Sequence, residues 1–483
     1  MGFYLGIDCG GSFIKAAIFD AQANMVSCVR KNMPVISDSA GYAERDMPTL
    51  WLDCADVVSQ AIKKAKVDPT TIKSVGISAQ GKGLFLLDQQ NKPLGRAILS
   101  SDQRALSVVK QWQQEGIPER LYPLTRQTLW TGHPVSILRW IKENEPARYA
   151  NIGSILMSHD YLRFCLTGKL FCEQTNISES NLYNMNTHCY DENLAQLLGL
   201  NGITAKLPPC VAPNQIAGFV TEEAAAQTGL CVGTPVVGGL FDVVATALCA
   251  NLENENTLNA VLGTWTVVSG VTTELDPWQT IPFVYGKYAD ADKFIVHEAS
   301  PTSAGNLEWF VQQWKLNYQE INQCVEKLAP AASSVLFLPF LYGSNAGLGM
   351  QAGFYGIQAH HSQAHLLQAI YEGVLFSLMH HLARMKQRFP NANVLRVTGG
   401  PTKSPIWLQM LADFTGMTLE IPQVEETGCF GAALMAMRGV GVETTVLNQL
   451  PMLKVMPRAE YFQAYQNKYQ RYQMLTKALQ SML

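Results

Sequence analysis

The stretch "FYLGIDCGGSFIKAAIFDA", residues 3–21, places one acid, Asp8, at the end of an apolar run and follows it with Gly10, Gly11 and Ser12. Backbone N–H groups in a glycine-rich turn can converge on an anion, because no Cβ blocks the approach. An acid beside such a loop repels a bare phosphate. It makes sense if a divalent cation sits between them. The chemistry suggested is the binding of magnesium-nucleotide phosphates, with Gly10, Gly11 and Ser12 on the phosphate and Asp8 facing the metal or its water. The alternative is a hairpin turn that uses glycine for its geometry and the aspartate for an Asx turn.

Three later stretches have the same character. "VGGLFDVVATALCA" (237–250) puts Asp242 at the start of a helix, where an aspartate is an ordinary N-cap. "LRVTGGPTKSPIWLQMLADFTG" (395–416) reads as a strand, a turn at Gly399 and Gly400, and a helix. "ETGCFGAALMAM" (426–437) is a glycine-rich turn opening a helix of small residues that can approach a neighbour closely. No G-x-x-x-x-G-K-[ST] loop, no G-x-G-x-x-G after a strand and no H-R-D with D-F-G pair occurs, so three other nucleotide-binding designs have no support. His361 and His365 are four apart but lack the glutamate of a zincin motif.

The elements that must position these residues are readable from apolar periodicity. Residues 3–8 and 14–19 read as strands around the first loop, 23–29 as a third, 48–66 as a helix and 72–80 as a strand running into a loop. Residues 83–102 read as a hairpin turning at 91–93, and 103–114 and 134–144 as helices. "TLNAVLGTWTVVSGV" (257–271) repeats the opening grammar, with Gly263 and Thr264 in its loop. This weak repeat predicts two similarly built domains, and the polar "NLENEN" (251–256) places their boundary between 250 and 251. The last helix carries Tyr461, Tyr465, Tyr469, Tyr472 and Leu479 on one face, to be packed on the body or in a dimer interface.

Composition bounds the function classes. A chain of 483 residues, 47% hydrophobic and 16% charged, is globular, and a net charge of −3 without a basic block argues against nucleic-acid and anionic-membrane partners. Eleven cysteines without a C-x-x-C pair read as reduced, mostly buried thiols. No signal peptide is legible, so a cytoplasmic protein is expected.

Taken together the motifs resemble the FGGY family of carbohydrate kinases. "GIDCGGSFIKA" resembles its first phosphate loop, "GYAERDM" (41–47) and "GISAQGKG" (76–83) its sugar-facing segments, and "GHPVSILRWIKENEP" (132–146) and "LFLPFLYGSNA" (336–346) its signatures. "GTW" (263–265) resembles the second phosphate loop and "TGGPTKSPIW" (398–407) the adenosine motif. "ISAQGKGLFLLD", "PLTRQTLWTGHPVS", "NISESNLYNM" and "GGLFDVV" are similar to the branch that acts on L-xylulose and 3-keto-L-gulonate. The chain departs from many members in placing Gly81-Lys82 after Gln80, where Met or His is common.

The resemblance implies an α/β fold of two actin-like ATPase domains, 1–250 and 251–483, with a cleft between them that closes on both substrates. It implies ATP and magnesium, a small sugar acceptor phosphorylated at O5, and a homodimer. Asp242 would be the general base. Gly10, Gly11, Ser12, Lys15, Gly263, Thr264, Gly399, Gly400, Ser404 and Trp407 would meet the nucleotide, and Asp8 the metal. Glu44, Gln80, Gly81, Lys82, Asp102 and Arg104 would meet the sugar, with His159-Asp160 a weaker candidate. Several bland readings stand beside these: Asp102 a helix cap, Arg104 and Lys82 surface cations, Trp407 a buried helix face. Lys82 could instead meet a sugar carboxylate. Another acceptor (L-ribulose, D-xylulose, L-fuculose or glycerol), or a sugar-independent ATPase of the actin and chaperone type, remains the competing function.

Overall fold

The computed structural model describes residues 2–482 except 264, 278, 280 and 348. The chain folds into two compact units. The first comprises Met1–Cys249, Thr272–Ile295 and Val424–Gln449, and the second Ala250–Val271, Val296–Gln423 and Leu450–Leu483. The first crossing falls beside the polar 251–256 stretch. Two later segments return to the first unit, which a single cut at 250 does not capture.

The large sheet of the first unit is built of β1 (Phe3–Cys9), β2 (Phe13–Phe19), β3 (Met25–Asn32), β4 (Ile72–Ala79), β5 (Ile216–Phe219), β6 (Pro235–Val237) and β7 (Leu240–Phe241). Their order is β5–β6–β4–β1–β2–β3, with β7 also on β4. β1 runs antiparallel to β2 and parallel to β4, and both β6 and β7 are parallel to β4. In the second unit β8 (Thr257–Leu262), β9 (Thr266–Thr272), β10 (Phe294–Ser300), β11 (Val394–Thr398), β12 (Thr418–Pro422) and β13 (Met452–Val455) run β10–β9–β8–β11–β12–β13. β8 is again antiparallel to its successor and parallel to β11. The two opening loops close alike, Gly10 N–H on Phe13 O at 3.0 Å and Gly263 N–H on Trp265 O at 3.1 Å. The repeat read from the sequence is therefore a repeat of sheet topology.

Local chemistry explains the helices. Met47–Ala65 starts where the Asp46 side chain accepts from Thr49 N–H, and it ends where Lys66 turns left-handed. Residues 83–102 do turn at Asn91 (φ 61°), with Asp88 Oδ1 accepting from Gln90 and Lys92 N–H. The arms meet only at isolated bridges, Leu87 with Pro93 and Leu84 with Ile98. Phe85–Leu87 pairs instead with Ser154–Leu156, since Pro93 has no N–H to extend a ladder. The terminal helix Ala459–Gln480 buries Tyr465, Tyr469 and Tyr472 against Phe376 and Phe414, which is the packed-on-the-body alternative. All eleven cysteines are unpaired; five are buried, five half-buried and Cys189 exposed, fewer buried than expected. Among the described residues no helix is long and apolar enough to cross a membrane.

The small-residue helix Thr427–Gly439 lies directly on the first sheet. A Cβ at Gly6 would fall 1.9 Å from Cys429 O, and one at Gly76 2.0 Å from Ala432 O. At Gly431 it would meet Ala245 at 2.9 Å. These glycines on β1, β4 and the helix remove the side-chain layer that normally separates a helix from a sheet. The helix start is thereby brought to the end of β1. Gly76→Ala forces backbone against backbone, so it is expected to destabilise by about 3 kcal/mol or more. Urea unfolding of the purified variant, or its loss from the soluble fraction, measures this.

Candidate active site

Three parallel strands of the first unit end side by side. Asp8 and Leu240 both face Ser78 in register, and Cys9 and Phe241 both face Ala79. Beyond those pairs lie the Gly10 loop, the Gln80-Gly81-Lys82 loop and Asp242. Gln80 N–H continues the ladder to Cys9 O at 2.9 Å. The carboxyl ends of parallel strands are where open α/β sheets bind ligands, because chain reversals there leave room and free backbone groups.

The first loop is stapled from one side. Arg45, buried, donates to Gly11 O at 2.7 Å and Gly10 O at 3.4 Å. Gly11 and Ser12 are exposed, and among the described residues their N–H groups have no acceptor. Lys15 sits opposite Asp8 on β2, but its ammonium is 2.7 Å from Glu426 and 3.9 Å from Asp8. It is an internal counter-ion here. The Asp8 carboxyl lies against Gly428, where a Cβ would come within 2.3 Å of it, at the first turn of the Thr427–Gly439 helix.

Burial pushes the Asp8 carboxyl up to about 6, with Glu426 adding to the rise and Lys15 and Ser78 opposing it. Asp242 is the first residue of the helix Asp242–Cys249. Desolvation pushes it up to about 7, and the Asp8 charge and then Glu179 push the same way. The Val243 N–H and Lys82 pull it down by less. A helix N-terminus alone would favour the ionised form. Here burial beside a second acid outweighs it. Two carboxylates at neighbouring strand ends with too little positive charge are a setting that a cation would relieve. Among the described residues no group of three acids, histidines or cysteines could hold a metal by itself.

The expected sugar residues divide in two. Gln80, Gly81 and Lys82 lie at the strand ends. Gly81 is required there, because the Phe241 ring stands 2.2 Å from where its Cβ would be. The Lys82 ammonium is 2.6 Å from Glu179 Oε2, and its N–H donates to Asn176 Oδ1 at 2.9 Å. Lys82 is thus no free surface cation. Glu44, Asp102 and Arg104 form one cluster. Arg104 binds Glu44 Oε1 at 2.6 Å and Asp102 Oδ1 at 2.9 Å, with its guanidinium 3.9 Å over the Tyr42 ring. Asp102 is fully buried and also takes Ala43 N–H at 2.7 Å. Arg104 is buried too, so it is no surface cation, and Asp102 caps no helix. The bland readings of both are corrected; Glu44 keeps partial exposure. His159 and Asp160 are fully buried, with Asp160 bound by Arg163 at 2.8 Å and by Met157 and Glu173 N–H.

On the second unit, Gly263 closes the β8 loop, and Thr264 lies outside the described residues. Gly399 takes φ 103° and presses on the end of β8, a Cβ there falling 2.1 Å from Leu262 O. Gly400 stands in open space. Ser404 is the N-cap of Pro405–Thr415 and donates to Asn322 Oδ1 at 2.7 Å. The Trp407 ring is buried, stacked on Tyr371 at 4.3 Å, with its N–H spent on Tyr371 O. In this structure it is the buried face of a helix. Sequence reasoning missed Arg45, Asn176, Glu179 and Glu426. All four lie in or next to stretches singled out for other reasons, but no spacing links Lys82 to a residue 97 positions away.

The chain matches the FGGY family of carbohydrate kinases, N-terminal domain, over residues 3–249 and the C-terminal domain of that family over 258–440. It is 73% identical over 483 residues to a protein of Pasteurella multocida named probable L-xylulose kinase, covering 100% of both chains. It is 57% identical over 484 residues to the L-xylulose/3-keto-L-gulonate kinase of Escherichia coli, covering 99% of this chain and 97% of that one. The ligand-bound xylulose kinase of Lactobacillus acidophilus shares the fold, with a TM-score of 0.92, 19% identity and coverage of 99% and 98%. The chain belongs to the FGGY family of carbohydrate kinases. It is a sugar kinase, a phosphotransferase that takes ATP as donor and an alcohol group as acceptor.

The raised Asp242 carboxyl has a signed consequence for stability. Its folded-state value near 7 lies above its unfolded value, so the folded chain holds the extra proton between those limits. The ionised group therefore costs stability above pH 7, and that cost fades as pH falls. Asp242→Asn is expected to melt about 2–4 °C higher than the unaltered chain at pH 8, with the gap narrowing to less than half by pH 5 and closing only near the unfolded carboxyl value of about 4. Thermal scans at the two pH values check it.

Proposed function

We propose that the chain transfers the terminal phosphoryl group of ATP to O5 of L-xylulose and/or 3-keto-L-gulonate, with Asp242 as general base. The observation that carries this is the placement of Asp242, half-buried at the helix start after β7, at the same sheet end as Asp8 and the Gly10 loop; burial pushing its carboxyl up to about 7 suits a group that takes a proton near neutral pH. The names of the 73% and 57% identical relatives support the choice of acceptor.

In this reading the acceptor lies against Asp242, with Gln80 and Lys82 beside it and Glu44 and Arg104 as further polar partners. The O5–H bond breaks as Asp242 takes the proton. O5 forms a bond to the terminal phosphorus, the bond from that phosphorus to the β,γ-bridging oxygen breaks, and ADP leaves with the electron pair. Phosphoryl transfer asks little covalent help of a protein and much positioning. The Gly11 and Ser12 N–H groups, unpaired and held outward of the Arg45 staple, would take terminal phosphate oxygens with Gly10. Asp8 would hold magnesium or its water, and the ion would neutralise charge on the transferred group. Lys15 serves by keeping Glu426 from adding an unbalanced charge beside Asp8. Gly263, Thr264, Gly399 and Gly400 are proposed as nucleotide contacts of the second unit. The reading also takes in a cytoplasmic homodimer.

A coupled assay over ketopentoses and keto-hexonates with Mg-ATP tests the acceptor, and phosphorus-coupled NMR of the product places the phosphate. Turnover only on another acceptor, or a product phosphorylated elsewhere than O5, contradicts the reading. Asp242→Asn is expected to stay folded and lose roughly 10²–10⁴ in turnover. In the unaltered enzyme kcat/KM for sugar should fall as pH drops through the Asp242 titration, because the protonated acid cannot accept. A folded Asp242→Asn enzyme with near-normal turnover would remove Asp242 as the base.

A further inference from the structure

The Lys82–Glu179 pair is built asymmetrically. Their charged atoms are 2.6 Å apart, yet the Lys82 side chain keeps 17% of its exposure and Glu179 none. Glu179 is sealed by the backbone at Gly286, where a Cβ would come within 2.4 Å of Oε1. Lys82 is held from three sides. Asn176 Oδ1 fixes its N–H at 2.9 Å, its backbone is left-handed at φ 61°, and its ammonium lies 5.5 Å from the Phe241 ring centre. A lysine in that conformation without glycine's freedom stores strain that the surrounding contacts must over-determine. Phe241 immediately precedes Asp242, and its N–H is fixed by Thr175 Oγ1 at 2.9 Å. The short segment 173–179 thus braces both the lysine and the strand that delivers the aspartate.

A pair with a hidden acid and a presented cation discriminates ligands by charge. A neutral ketose meets a balanced pair. A sugar acid brings a second carboxylate, and the lysine must then be shared between that group and Glu179. We infer that Glu179 is a specificity-determining residue acting through Lys82: it balances the cation for neutral ketoses and limits what a sugar carboxylate gains from it. This rests on the ketose-kinase reading above.

The test is kcat/KM for L-xylulose and for 3-keto-L-gulonate with Mg-ATP in the unaltered enzyme, Glu179→Gln, Lys82→Met, Lys82→Arg and the Lys82→Met/Glu179→Gln double variant. The acid-to-neutral ratio should rise about tenfold in Glu179→Gln and fall about tenfold in Lys82→Met. Lys82→Arg should hold the ratio within about threefold, and the double variant should match Lys82→Met in ratio, because the pull of Glu179 on Asp242 falls on both sugars alike while its effect on the sugar carboxylate runs through the lysine. If Glu179→Gln does not fold, the fall in Lys82→Met and its rescue in Lys82→Arg carry the test. A ratio unchanged in every folded variant means the pair only holds the loop, and it overturns the inference while the kinase reading stands. An unaltered enzyme active on L-xylulose, with Glu179→Gln gaining nothing on 3-keto-L-gulonate, overturns it as well. An unaltered enzyme that uses neither sugar but phosphorylates another acceptor removes the reading itself, and the inference with it.

Discussion

Two aspartates at the ends of the parallel strands that flank β4, each driven into a poorly solvated position, set the terms for everything around them. Asp8 and Asp242 both rise, chiefly because burial penalises their charged forms, and the Asp8 charge adds to the rise at Asp242. The lysines nearby do not cancel this. Lys15 is drawn to Glu426 and Lys82 to Glu179. The first unit therefore holds a deficit of positive charge at the strand ends, next to a loop whose exposed N–H groups suit an anion. In the proposed reading a triphosphate would bring the anion, and a divalent ion bound to it would bring the missing charge. The strands, the glycine approaches and the buried brace are the means of keeping two acids where water would otherwise separate them.

The fold was legible to the extent that it is written in local patterns. The apolar runs at 3–8, 14–19 and 72–80 became strands, and the helix expected over 48–66 is Met47–Ala65, because its cap, its proline and its apolar stripe agree. The likeness of 257–271 to the opening stretch proved to be a likeness of sheet order, since a strand–loop–strand grammar constrains topology. The hairpin at 83–102 was half legible. Its turn is local chemistry, but its strand partner comes from 154–156, which no local pattern announces. The return of 272–295 and 424–449 to the first unit was likewise invisible, being a matter of contacts between distant segments.

The candidate site shows the same division. That Asp8, Gln80, Gly81 and Asp242 share the strand ends was pointed to by the family resemblance, while the residues alone left a hairpin Asx turn and a helix N-cap standing beside the site reading. Partners that act across the fold could not be found. Arg45 staples the first loop from 34 residues away, and Glu179 holds Lys82 from 97. Of the two readings open at Trp407, stacking on Tyr371 favours the buried helix face, and at Arg104 the surface-cation reading fails because two acids and an aromatic face are in reach at once. An arginine or tryptophan near a motif says little until the neighbours that satisfy it are known.

Isotope-edited infrared titration of aspartate carboxyls, assigned by difference against Asp8→Asn and Asp242→Asn, reads the central claim directly. The account predicts that the free protein shows these two groups titrating near 6 and 7, and that an unreactive Mg-ATP analogue shifts both downward by about one unit or more, since a cation beside a carboxylate favours its charged form. Carboxyls that titrate near 4 without nucleotide, or that do not move when it binds, would contradict it.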